Sequence, residues 1–252
     1  MSQQPEPKKR HLDADQPPPK SDSPPPPEEI RQATDLICVD VEGSGPNVKH
    51  HFMPEYAAVH IKIGSDTPLD TFYRSLAAPP GTDWSAETLA TFWAKPDKKT
   101  GIAPITAFNE RRIAFPPIQV KDDTMNEFVD WVRTRNEIVK AEGGVLIIVT
   151  DTAGYDTKWI DTYLSHYSTK ASALDEILGY YQPTRDISSF YIGLGRSLQV
   201  GGSRKAALRA LGLESANDWG NRYAHNHDPA SDAKHIAASA SYVLTMMTAK
   251  QK

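Results

Sequence analysis

Leu36-Ile37-Cys38-Val39-Asp40-Val41-Glu42-Gly43-Ser44-Gly45 is an apolar run, rich in β-branched residues, that ends in two carboxylates one residue apart. The pattern predicts a buried strand. Alternate side chains of a strand share a face, so Asp40 and Glu42 point one way while Val39 and Val41 point into the opposite layer. Desolvated anions side by side repel, and such a pair is best accommodated with one or two divalent cations between the carboxylates. The plainer alternative is one structural carboxylate at a strand end beside a solvated neighbour. This stretch alone leaves both open.

The 252 residues allow one sizeable α/β domain, and the hydrophobic and charged fractions, 39% and 24%, are those of an ordinary soluble chain. A formal net charge of −4 excludes attraction of nucleic acid by the molecule as a whole, so an anionic substrate needs a local site. The single cysteine, Cys38, rules out an intramolecular disulfide and fits a reducing compartment. No apolar segment approaches bilayer length, and the amino terminus lacks a signal peptide's apolar core. These features predict an intracellular protein without a membrane partner.

Residues 1–30, with Pro17-Pro18-Pro19 and Pro24-Pro25-Pro26-Pro27, read as a disordered or polyproline tail suited to a protein partner. Lys8-Lys9-Arg10 within it is similar to a short nuclear import signal or is simply solvated charge, which leaves cytoplasm and nucleus both open. Residues 31–252 form the folded domain. Strands are expected over Glu55–Ile63 and Thr71–Leu76, completing an antiparallel meander with the first. His50 and His51 are adjacent, and neighbours rarely address one ion, so both read as surface residues. Ser85–Ala94 reads as a short helix capped by Ser85, on which Trp93 either stacks on a base or plugs the core. Lys95–Pro117 reads as an irregular connection. Asp122–Glu142, with Met125, Phe128, Val129, Val132, Ile138 and Val139, has helical spacing and leads into a buried strand at Val145–Val149.

Asp156 lies at the entrance of the next predicted helix, where an acid is either a ligand or a complement to the helix dipole, and Asp151 either a ligand or a turn cap. Arg185–Tyr191 reads as a last short strand or a helix start, and Arg204–Leu211 as a helix. Near the end, Asp228 suits a cap and Pro229 a first turn, which puts His227 on the preceding loop and Asp232 about one turn in. Both then reach one end of the sheet.

Taken together, Asp40-Val41-Glu42-Gly43-Ser44-Gly45, Tyr155-Asp156 and His227-Asp228-Pro229-Ala230-Ser231-Asp232-Ala233 resemble the three motifs of the DEDDh family of 3′-to-5′ exonucleases. The spacing selects His227 over His225. One departure is Asp151-Thr152, which stands where the family often has His-Asn; it bears on hydrogen bonding to the substrate strand rather than on the metal site. The resemblance implies a ribonuclease H-like α/β fold, a mixed five-stranded sheet with helices on both faces. It further implies release of nucleoside 5′-monophosphates from a free 3′ end of DNA or RNA, single-stranded by preference.

The expected cofactors are two Mg2+ or Mn2+ ions bound by Asp40, Glu42, Asp156 and Asp232, with Asp40 bridging, because hard carboxylate oxygens suit these ions and a paired site stabilises both ends of the displacement. His227 is then the base that takes the proton from the attacking water, a task matched to imidazole. Gly43, Ser44 and Trp93 are the expected substrate contacts. The competing readings are a catalytically silent nucleic-acid-binding module on the same fold and an interaction protein acting through its proline-rich tail.

Overall fold

The computed structural model describes residues 32–97, 101–171, 185–191, 209 and 226–249. The N-terminal tail and His225 lie outside them, as does the 204–211 helix apart from Arg209. Chain order is β1 Asp35–Glu42, β2 Glu55–Lys62, β3 Asp70–Ser75, α1 Ala86–Thr88 running into a π-helical turn Leu89–Trp93, α2 Pro104–Ala114, α3 Asn126–Ala141, β4 Leu146–Thr150, α4 Ala153–Tyr167, β5 Arg185–Asp186 and α5 Pro229–Ala249.

The strands form one five-stranded sheet in the order β3-β2-β1-β4-β5. β1 and β2 pair antiparallel from Asp35↔Lys62 to Glu42↔Glu55, β2 and β3 pair antiparallel, and β4 and β5 run parallel to β1. This is the mixed five-stranded sheet that the motifs imply. Arg185–Tyr191 supplies both expected elements, a two-residue strand followed by a helical turn.

All eight residues of β1 are buried because helices cover both of its faces. Ile37, Val39 and Val41 pack with Phe128, Val129 and Val132 of α3 and Trp159 and Tyr163 of α4, whereas Leu36 and Cys38 pack with Ala233, Ile236, Ala237 and Ala240 of α5. The period-2 alternation therefore assigns each layer its residues. Asp40 and Glu42, in phase with Leu36 and Cys38, lie on the α5 side.

Two expectations are corrected here. The stretch from Lys95 to Pro117 contains the eleven-residue helix α2, which starts with Pro104 in its first turn and buries only Pro104 and Phe108. So thin an apolar stripe gives no helical periodicity to read. In α3 the buried stripe is Phe128, Val129, Val132, Asn136 and Val139, and Ile138 is 41% exposed because it lies off that face. No helix among the described residues is long and apolar enough to cross a membrane.

Phe128 closes an aromatic cluster with Tyr56 and Phe72 at centroid distances of 5.7 and 5.6 Å. Phe128→Ala is expected to destabilise the fold by about 3–5 kcal/mol, read as a lower urea midpoint at unchanged m value.

Candidate active site

Three elements bring the acids to one end of the sheet. β1 delivers Asp40 and Glu42, which are 9% and 6% exposed. α4 opens directly after β4 and carries Asp156 in its first turn; its carboxylate accepts from Thr152 N at 3.1 Å and from the backbone of Val41, the residue between the two β1 acids. α5 carries Asp232 in its first turn, with Pro229 as its first residue and the Asp228 carboxylate accepting from Ala230 N at 3.0 Å. Asp232 Oδ1 accepts from Asn226 N at 2.9 Å, and Oδ2 accepts from His227 N at 3.0 Å.

The charges act on one another. Burial first, then the carboxylates of Glu42, Asp156 and Asp232, push Asp40 well above the usual carboxylate range. Glu42 is raised likewise by burial, Asp232 and Glu55, against the opposing pull of Arg111. Burial pushes Asp156 up from 3.8 to about 7, with Asp151 and Asp186 adding to the rise and backbone hydrogen bonds opposing it. Asp186 is an acid of this neighbourhood that sequence reading did not assign to the cluster, and Asp151 is one for which it left ligand and turn cap both open. Asp40 Oδ2 is buried with no hydrogen-bond partner among the described residues.

His227 completes the group. Its Nδ1 is 4.0 Å from Glu42 Oε1, and Glu42, His227 and Asp232 each offer a ligand atom within 4.8 Å of the others'. Its backbone is left-handed at φ 60°, a conformation that costs a non-glycine residue roughly 1–3 kcal/mol. The five residues from the three motifs thus meet at one place.

The expected substrate contacts sit differently. Trp93 is fully buried, packs against Trp84 and Phe108, and donates Nε1–H to Gly43 O at 3.1 Å, so it is the plug and not the stacking face. The π-helical turn, closed by Ala94 N donating to Leu89 O at 2.8 Å, turns half-buried Phe92 toward His227 instead, at a centroid distance of 4.5 Å. Ser44 is also fully buried: its hydroxyl donates to Asp83 O at 3.1 Å and accepts from Phe52 N at 2.9 Å, leaving it committed to the loop. Gly43 meets a steric demand, since a Cβ there would lie 2.2 Å from Tyr155 Oη and 3.0 Å from Trp159 Nε1. His50 is exposed, and His51 Nδ1 lies 3.1 Å from Asp83 O.

The donor set suits hard divalent cations: buried carboxylate oxygens, one oxygen of Asp40 without a partner among the described residues, and mutual repulsion that a cation would relieve. Asp156 has an unfolded value near 3.8 and a folded value of about 7. The folded chain then holds more protons than the unfolded chain between those values, so stability is present at low pH and is lost as pH rises through the folded value. In a chelator, Tm is expected to fall from about pH 5 to about pH 8. Asp156→Asn should flatten that slope, and Mg2+ should raise Tm more at the upper pH; scanning calorimetry checks all three.

No family model and no curated protein matches this chain. Among solved structures, the nuclease domain of 3'hExo, a DEDDh family member bound to rAMP, is 16% identical over 85% of this chain and 93% of that one, with a TM-score of 0.48. Cell-death related nuclease 4 (CRN-4) is 12% identical over 85% of this chain and 65% of that one, at a TM-score of 0.47. A moderately thermophilic exonuclease I from Methylocaldum szegediense is 14% identical over 86% of this chain and 43% of its own length, at 0.46.

Proposed function

We propose that this chain is a metal-dependent 3′-to-5′ exonuclease that hydrolyses phosphodiester bonds of DNA or RNA and releases nucleoside 5′-monophosphates. The observation that carries the reading is the buried convergence of Asp40, Glu42, Asp156 and Asp232 from β1, α4 and α5, with one Asp40 oxygen that has no hydrogen-bond partner among the described residues. Asp40, Glu42, Asp156 and Asp232 would hold two Mg2+ or Mn2+ ions. When bound, such ions supply Lewis-acid stabilisation of the charge that builds on the phosphoryl oxygens.

The chain's own groups do the rest. The His227 imidazole takes the proton from the attacking water; with 26% of its side chain exposed, it can pass that proton to solvent. Phe92 offers the terminal base an aromatic face beside the histidine, a contact that favours single strands because their bases are already free. Attack at a 3′ end rests on the match of the three motifs.

The test is digestion of 5′-labelled single-stranded DNA, RNA and duplex DNA with Mg2+ or chelator. A ladder shortening from the 3′ end only with Mg2+ is expected; binding without shortening would instead favour the catalytically silent module. His227→Ala is expected to lower kcat by about 10²–10⁴-fold while calorimetric Mn2+ binding persists. Full activity in that variant would remove His227 as the base.

A further inference from the structure

We propose that Arg111 is a positioning residue for His227, a role that rests on reading His227 as the proton acceptor. Its guanidinium clamps the His227 carbonyl and so fixes the left-handed backbone that aims the imidazole at Glu42 and Asp232. The two peptide groups of His227 are gripped from opposite sides. Its N–H donates to Asp232 Oδ2 at 3.0 Å, and its carbonyl accepts from Arg111 Nη2 at 3.0 Å. A return to an ordinary negative φ would break one of these bonds, so the pair together hold φ at 60°.

Arg111 is itself held rigidly. Nη2 donates to Glu55 Oε2 at 2.6 Å and Nε donates to the same carboxylate at 3.2 and 3.3 Å, while Tyr73 Oη donates to Glu55 Oε1 at 2.6 Å. The Glu55 side chain has 0% exposure and that of Arg111 15%. One Nη2 thus serves both Glu55 and His227. The Nε and Nη2 grip on Glu55 fixes the plane of the guanidinium and with it the direction of the Nη2 N–H that meets the His227 carbonyl, a fixed direction that the rotatable donors of a lysine ammonium lack. α2, which carries Arg111, buries little of itself in the core, so this contact with the candidate site is its principal polar anchor among the described residues.

The test compares the full chain with Arg111→Lys, alone and combined with His227→Ala. If Arg111 acts through His227, Arg111→Lys lowers kcat by about 10–100-fold with KM within about 2-fold, and adds less than about 2-fold to the loss already caused by His227→Ala. A purely structural role would lower activity by the same factor in both backgrounds and overturns the proposal.

A substrate-free readout stands beside the kinetics. In labelled protein, the three-bond amide coupling and the carbon shifts of His227 should report a left-handed backbone in the wild type and an averaged one in Arg111→Lys. Unchanged values in that variant overturn the proposal even if activity falls. Should Arg111→Lys not fold, Tyr73→Phe, which loosens Glu55 at nearly constant volume, takes its place, with the same pattern expected at smaller size. If the wild type degrades no nucleic acid with Mg2+, the nuclease reading fails while the His227 backbone measurement still decides what Arg111 does.

Discussion

Confining four carboxylates to one desolvated pocket is the constraint around which the rest of the molecule is arranged. Carboxylates left to themselves would spread apart or take up protons, and here the backbone prevents the first. Asp232 receives two amide N–H groups, and Asp156 is tied to Thr152 and to Val41. These anchors belong to the first turns of α4 and α5, where the helix dipoles also favour negative charge. Asp40 differs, since one of its oxygens has no partner among the described residues. Asp156 and Asp232 are thus held by backbone donors, whereas Asp40 and Glu42 are placed by β1 itself.

Bringing Asp232 to β1 requires α5 to lie close to the sheet. Ala233, Ala237 and Ala240 face Leu36, Cys38, Ala57 and Val59 with essentially no solvent between them. Small side chains on the contact face allow a short interaxial distance, so the first turn of α5 descends to the level of Glu42. On the other face, the larger Phe128, Trp159 and Tyr163 fill a thicker layer beneath α3 and α4. The same β1 alternation that sorts the two cores also sends both acids to the thin side.

The sequence is most legible where a period or a cap has to be satisfied locally. β1, β4, the Asp228 cap and the Pro229 start of α5 all follow from residue pattern, whereas the meeting of three distant motifs is what the family resemblance implies. Trp93 and Phe92 exchange roles because an i→i+5 turn rotates the side chains away from their α-helical directions, and nothing in Leu89–Trp93 announces that turn. Ser44 carries the residue type of a substrate contact, but its partners, Phe52 and Asp83, come from loop packing. α2 has too narrow an apolar face to register. Arg111 escapes notice with it, because its partners lie on β2 and on the His227 loop, far away in sequence.

Glu55 shows how the sheet end and the candidate site constrain each other. The register of β1 and β2 sets Glu42 directly opposite Glu55, and like charges facing each other across an antiparallel pair destabilise it. Slipping either strand by one residue would send its glutamate and the rest of its side chains to the wrong face, so the conflict has to be relieved in place. The Arg111 guanidinium does so by pairing with Glu55 at 2.6 Å, and it pulls against the upward shift of Glu42 at the same time. A cation needed to neutralise one glutamate of the sheet is thereby fixed beside the carboxylate cluster without entering it. From there its free N–H reaches the backbone of His227, so the same charge that makes the strand pairing tolerable also orients the imidazole.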